Sequence, residues 1–182
     1  MKKRSILWDL LKSVIFAFVL VFIIQKWIVK PVKIVGQSMY PTLVDAEVGF
    51  SNVFSRNYQA LQRFDIVIVK QPDSPDLLVK RVIGLPNESI EFKNDTLLIN
   101  QKPVAEPHLN STHKDLFIES RNTFFTNDFG PVQLADQQYF LMGDNRPFSR
   151  DSRFYGPFLE SAIVSKSVYI ILPLESFRVV GR

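Results

Sequence analysis

The chain has 182 residues, 46% of them hydrophobic, and no cysteine. That leaves room for one membrane anchor and one modest folded domain, and it excludes global disorder, disulfides, thiolate metal sites and a cysteine nucleophile. The net charge of +4 is mild, and much of it (Lys2, Lys3, Arg4, Lys12, Lys26, Lys30, Lys33) lies in the first 33 residues. There it suits anionic lipid headgroups, and no basic stripe interleaved with aromatics follows, so no nucleic-acid partner is expected.

The first predicted element is a transmembrane helix over residues 10–28, after a short cytoplasmic segment, 1–9. At 1.5 Å per residue this stretch spans about 29 Å, close to the thickness of the hydrocarbon core. Trp8 and Trp27, the only tryptophans, bracket it as interfacial anchors do, and Lys12 and Lys26 can snorkel to the headgroups. Met1-Lys2-Lys3-Arg4 favours a cytoplasmic N-terminus, which makes the rest extracytoplasmic. The competing reading is a cleaved signal peptide, since the strict apolar centre, Val14 to Ile24, also suits an h-region. No small-x-small cleavage site follows, because residues 25–31 are bulky or charged.

After Pro31 the periodicity turns to β. Strands are predicted at 32–35, 47–54, 65–70, 77–84, 89–93, 96–100, 138–142 and 166–172, bounded by Gly, Pro, Asn and Asp. Lys93-Asn94-Asp95 and Asn100-Gln101-Lys102 read as turns of a meander. No further helix of convincing length is predicted, and residues 106–136 read as a loop or small excursion that keeps Phe117, Phe124, Phe125 and Phe129 for packing. The fold class is mainly β, with residues 29–182 forming an all-β sandwich or barrel.

Ser38, in the polar turn Gly36-Gln37-Ser38-Met39-Tyr40-Pro41, is a candidate nucleophile. A hydroxyl nucleophile needs a base. The two histidines, His108 and His113, lie in the polar 106–136 stretch, whereas Lys80 stands in the aliphatic run Leu77 to Ile83. Burial there lowers a lysine pKa, and a value near 8 would leave enough neutral amine to accept a proton. Taken singly, Ser38 reads as a turn residue, and Lys80 with Arg81 as one solvated and one paired charge. The loop Gly143 to Gly156 is denser in acids, bases and hydroxyls than a solvated loop requires.

Ser38-Met39-Tyr40-Pro41-Thr42-Leu43, Asp65 to Val69, Val79 to Pro86, and Gly143-Asp144-Asn145-Arg146 with Ser149, Asp151, Ser152, Arg153 and Gly156 resemble, in order, the boxes of the type I signal peptidases. The single anchor is similar to that of the compact enzymes typical of Gram-positive bacteria. The resemblance implies Ser38 as nucleophile, Lys80 as general base and Ser149 as a support that orients the lysine. It implies Arg81 with Asp144, and Asp151 with Arg153, as structural ion pairs. It implies shallow substrate pockets involving Val32, Ile34, Val35, Met39, Leu43, Ile68, Leu78 and Val79. The implied substrates are the signal peptides of preproteins, with small residues at the first and third positions before the cut. The implied surroundings are membrane lipid and the secretion machinery, with no metal and no cofactor. Three positions depart from the pattern: Gly36, where some relatives carry an oxyanion-binding serine; Phe64, in place of a common glycine; and Asn87-Glu88, in place of Gly-Asp. A catalytically silent binding protein, an adhesive β domain and a self-cleaving repressor are the alternatives. The Ser38/Lys80 pair opposes the first, the ordered boxes the second, and the anchor the third.

Overall fold

In the computed structural model, which describes the backbone of residues 6–181 and side chains other than those of 6–7, 24–27 and 55–57, the chain opens with helix α1, Ile6–Trp27. Leu10, Phe16, Phe18 and Phe22 of α1 are exposed, and the Lys12 ammonium lies 5.4 Å from the Trp8 ring centroid. Among the described residues no helix is long and apolar enough to cross a membrane. The basic start Lys2-Lys3-Arg4 and the Lys26 and Trp27 side chains fall outside the described residues.

Strand β1, Val29–Lys33, follows α1 after a single residue. It begins three residues earlier than its Val/Ile content predicts, because pairing with β2, Val48–Asn52, carries it through Pro31 at the sheet edge. The predicted strand over 47–54 is shorter in the structure, since α2, Val53–Tyr58, takes over its end. The remaining strands are β3, Ile66–Lys70; β4, Leu77–Gly84; β5, Ser89–Lys93; β6, Thr96–Ile99; β7, Lys102–Val104; β8, Phe129–Gln133; β9, Gln138–Met142; β10, Phe158–Leu159; β11, Ile163–Leu172; and β12, Arg178–Val180. An eight-stranded sheet runs in the order β1-β2-β11-β3-β4-β9-β10, with β12 beside β11, and a four-stranded sheet runs β7-β6-β5-β8. All the pairings are antiparallel.

The mainly β expectation therefore holds, and the predicted meander is present as β5-β6-β7. Its two turns carry left-handed pairs, Asn94 with Asp95 and Asn100 with Gln101, as tight hairpins of matching twist require. Alternation along β3 divides the core: Ile66 and Ile68 join Met39, Leu43 and Ile170 on one side. Val67 and Val69 join Val82, Leu141 and Phe158 on the other. A third cluster, built on Ile83, Ile90, Phe92, Leu97 and Phe140, fills the space between the two sheets.

Residues 106–136 are not the loop that their polarity predicts. They contain α3, Ser111–Arg121, and β8. The Asn110 side chain accepts the His113 N–H at 2.9 Å, and Asn122 closes the helix at φ 50°. None of the α3 residues is fully buried, so α3 carries no strong apolar stripe to betray it; caps supply the start and stop signals instead. One short helix follows, α4, Ser152–Tyr155.

Candidate active site

Ser38 sits in the turn between β1 and β2, held down by buried Met39 and Leu43. Lys80 lies in the middle of β4, where Arg81 points to the opposite face; both are only 2% exposed. Lys80 Nζ donates to Ser38 Oγ at 2.8 Å. Burial pulls the Lys80 pKa down from its ordinary value to about 8; the Asp151 and Asp144 carboxylates oppose the shift and Arg153 adds to it.

The loop after β9 closes the site from above. Asp144 accepts Arg81 Nε at 2.8 Å and Nη2 at 2.6 Å, and its second oxygen also takes the Thr42 hydroxyl at 2.5 Å. Burial alone would raise the Asp144 pKa, but these bonds and the Arg81 charge hold it below the ordinary carboxylate value. Asp151 is likewise held low against its burial by Arg153, by the neighbouring Ser149 hydroxyl and by the Gly143 N–H. Arg153 donates to both Asp151 oxygens and to the Arg146 carbonyl. Both implied ion pairs are present, at 2.6 and 2.8 Å.

Gly143 is confined by its neighbours. A Cβ there would lie 2.3 Å from both Ser149 Oγ and the Ser38 carbonyl oxygen. Ser149 is thus brought against the Ser38 turn, with its Oγ buried and without a hydrogen bond at ordinary geometry. No hydrogen bond joins Ser149 to Lys80 among the described residues.

Beside Ser38 and Lys80 a cleft of about 410 Å³ is lined by Ile34, Val35, Met39, Leu78 and Val79, with Gly36, Gln71 and Asp76 at its rim. Val35 is exposed, at 82%. Val32, Leu43 and Ile68 do not line this cleft; Leu43 and Ile68 are core, with Val32 packed against them. Gly36 takes φ +87° in open space, and its N–H is committed to Asp45 Oδ1 at 2.8 Å. Phe64 and Asn87, which stand where glycines are common, both adopt left-handed φ, 71° and 67°.

Neither histidine contacts Ser38. His108 is buried with neither ring nitrogen hydrogen-bonded, Nε2 lying 3.8 Å from Glu106 Oε1, and with its ring against Phe64; burial and the Arg81 and Arg146 charges push its pKa down to about 3. His113 reaches Asn145 instead. Thr42 and Asn145 belong to the boxes but carry no role in the sequence reading. Their position between Ser38 and the 143–153 loop becomes visible only in three dimensions. Arg178 is a further addition: it donates to Glu47 and to the Thr42 carbonyl, tying β12 to the Ser38 turn. No motif marks it. No group of residues able to hold a metal ion occurs among the described residues.

A mainly β domain that sets a half-buried serine in hydrogen-bond contact with a buried lysine defines a candidate Ser/Lys hydrolase. The family model "Signal peptidase, peptidase S26" matches residues 7–172. The chain is 40% identical over 178 residues to a signal peptidase I of Bacillus amyloliquefaciens, covering 97% of this chain and 91% of that one. It is 35% identical to signal peptidase IB of Staphylococcus aureus, covering 98% and 95%. A crystal structure of a signal peptidase I from Enterococcus faecalis aligns with a TM-score of 0.53 at 33% identity, over 59% of this chain and 97% of that one. The chain belongs to the signal peptidase family, peptidase S26, and is a hydrolase of that family.

Proposed function

We propose that this enzyme removes N-terminal signal peptides from exported preproteins through a Ser38/Lys80 dyad. The observation that carries the reading is the 2.8 Å contact between Lys80 Nζ and Ser38 Oγ, made by an amine whose pKa burial has lowered to about 8. Neutral Lys80 takes the Ser38 proton as Oγ attacks the scissile carbonyl. The oxyanion is met by the Ser38 backbone N–H, and not by the N–H of Gly36, which is engaged with Asp45. The ammonium then gives its proton to the leaving amine, leaving an ester on Ser38. Water, losing its proton to Lys80, hydrolyses that ester and restores both groups. No metal or cofactor enters these steps. Ser149, its Oγ buried beside the turn and near Asp151, supports the dyad by swinging its hydroxyl towards Lys80 once substrate excludes water. The pairs of Arg81 with Asp144 and Asp151 with Arg153 hold the loop.

The preprotein lies extended in the cleft beside Ser38, adding to the strand edge, with alternate side chains directed into it. Ile34, Met39 and Val79 narrow the cleft, which favours alanine at the first and third positions before the cut. The apolar 10–28 stretch of α1, with Trp8 and Lys12 at its near end, anchors the enzyme as a single-pass membrane protein. Its N-terminus is cytoplasmic, and the catalytic domain, 29–182, is extracytoplasmic and close to lipid and the secretion machinery. The test is cleavage of a preprotein with alanines at both positions, in detergent. The wild type is expected to cut once, at that site, and Ser38→Ala not at all; equal cutting by both would end the proposal.

A further inference from the structure

We propose that His113 and Asn145 are positioning residues for the nucleophile, and that anchoring them is the task of the 106–136 excursion; this rests on the reading of Ser38 as nucleophile. Asn145 is 2% exposed. Its backbone N–H donates to the Ser38 carbonyl at 3.0 Å, and its Nδ2 donates to the Gln37 carbonyl, also at 3.0 Å. One residue therefore pins two consecutive carbonyls of the nucleophile turn. The amide can do this only with Nδ2 towards Gln37, because the reversed amide would set oxygen against oxygen.

His113 supplies the reason for that orientation. Its Nε2 lies 3.3 Å from Asn145 Oδ1, and with the proton on Nε2 it donates to the oxygen and fixes the amide. The imidazole is held edge-on between Tyr40 and Phe125, at centroid distances of 5.1 and 5.7 Å. The row continues from Phe125 to Phe117 and on to Phe148. It thus starts two residues after Ser38, crosses α3 and ends one residue before Ser149. Since α3 buries no residue fully, its aromatic row and His113 serve the site rather than the core. Without the side-chain clamp the Gln37 carbonyl keeps only the Tyr40 N–H, the Asn145 backbone N–H on the Ser38 carbonyl is no longer steadied, and the Oγ drifts from the lysine.

The experiment uses the full chain in detergent, with kcat and KM for preprotein cleavage and deuterium exchange over residues 37–43. Asn145→Asp keeps size and the acceptor facing His113 but offers no donor to Gln37. It is expected to lower kcat by about tenfold to a hundredfold, as a displacement near 1 Å does, with KM little changed and exchange over 37–43 faster. His113→Gln, which can still donate, retains most of the kcat; His113→Phe, which keeps the ring contacts but not the donor, falls towards Asn145→Asp. Wild-type kcat and exchange in Asn145→Asp beside an inactive Ser38→Ala would overturn the clamp alone. Equal losses in His113→Gln and His113→Phe would reduce His113 to packing and overturn it as well. A fully active Ser38→Ala would overturn both the clamp and the nucleophile on which it rests.

Discussion

Lys80 Nζ meets Ser38 Oγ at 2.8 Å across 42 residues of sequence, and the lysine that makes this contact is 2% exposed. Holding an ammonium there opposes folding, because the unfolded chain keeps its proton more readily. A folded pKa of about 8 against an ordinary 10.5 amounts to about 3 kcal/mol at neutral pH. Lys80→Met, close in volume, is therefore expected to abolish cleavage and to raise stability to chemical denaturation at pH 7. The advantage should shrink as pH rises from 8 to 10.5, where the unfolded chain loses the proton too. A less stable Lys80→Met protein at pH 7 would contradict this account.

The same lysine sets the pH dependence of turnover. In the proposed dyad only the neutral amine accepts the Ser38 proton, so kcat/KM should rise through an acid limb near pH 8, set by burial of Lys80. His108, pushed down to about 3, is already neutral over that range and contributes no limb. A limb near pH 6.5 that vanished in a variant lacking both histidines would instead make a histidine the base.

Asp144 joins Arg81 to Thr42. Asp144→Asn leaves Arg81 buried without its counter-charge, which costs about 3 to 5 kcal/mol when one partner of a buried pair is removed. Denaturation by urea should show that loss at neutral pH. Because the Asp144 carboxyl is held below its ordinary value, its contribution is present above the ordinary carboxylate pKa and is lost as pH falls through the depressed one. The variant and wild type should therefore converge in acid. An unchanged urea midpoint at pH 7 would show that the pair contributes nothing net.

His108 gives an acid-side test of a different kind. It is neutral in the fold down to about pH 3, whereas the unfolded chain binds a proton from about 6.5. Wild-type stability should fall as pH drops between those values. His108→Phe keeps the contact with Phe64 and removes two nitrogens that lack a hydrogen bond, so it should flatten the decline and leave cleavage at neutral pH intact. An acid profile identical to that of wild type would contradict the assignment.

How much of this is legible in the sequence differs by element. The apolar runs of β3, β4 and β9 are plain, because each strand is buried on one or both faces. The Lys80–Ser38 contact is legible because a lysine among aliphatic residues is chemically odd. Helix α3 is hidden, since its residues are only partly buried and its signals are two asparagine caps. Strand β8 is hidden because Gly130 and Pro131 interrupt its two β-formers, Phe129 and Val132, and it exists through its pairing with β5. Of the eight expected pocket residues, Val32, Leu43 and Ile68 lie outside the cleft, in or against the core, a distinction that periodicity does not encode. Thr42, Asn145, His113 and Arg178 act through partners distant in sequence, and single positions do not reveal such partners.

The shared carboxylate of Asp144 has a consequence for the enzyme's own safety. Thr42 and Asp144 lie 102 residues apart, so the Ser38 turn and the strand bearing Lys80 are tied to a common piece that arrives much later in synthesis. Until that piece closes, Ser38 and Lys80 are two ordinary side chains on an unfinished scaffold, one too weakly acidic to attack and the other too hydrated to accept a proton. On the proposed mechanism, peptide cleavage would begin only with complete folding, and a growing or misfolded copy would be inert towards itself and its neighbours.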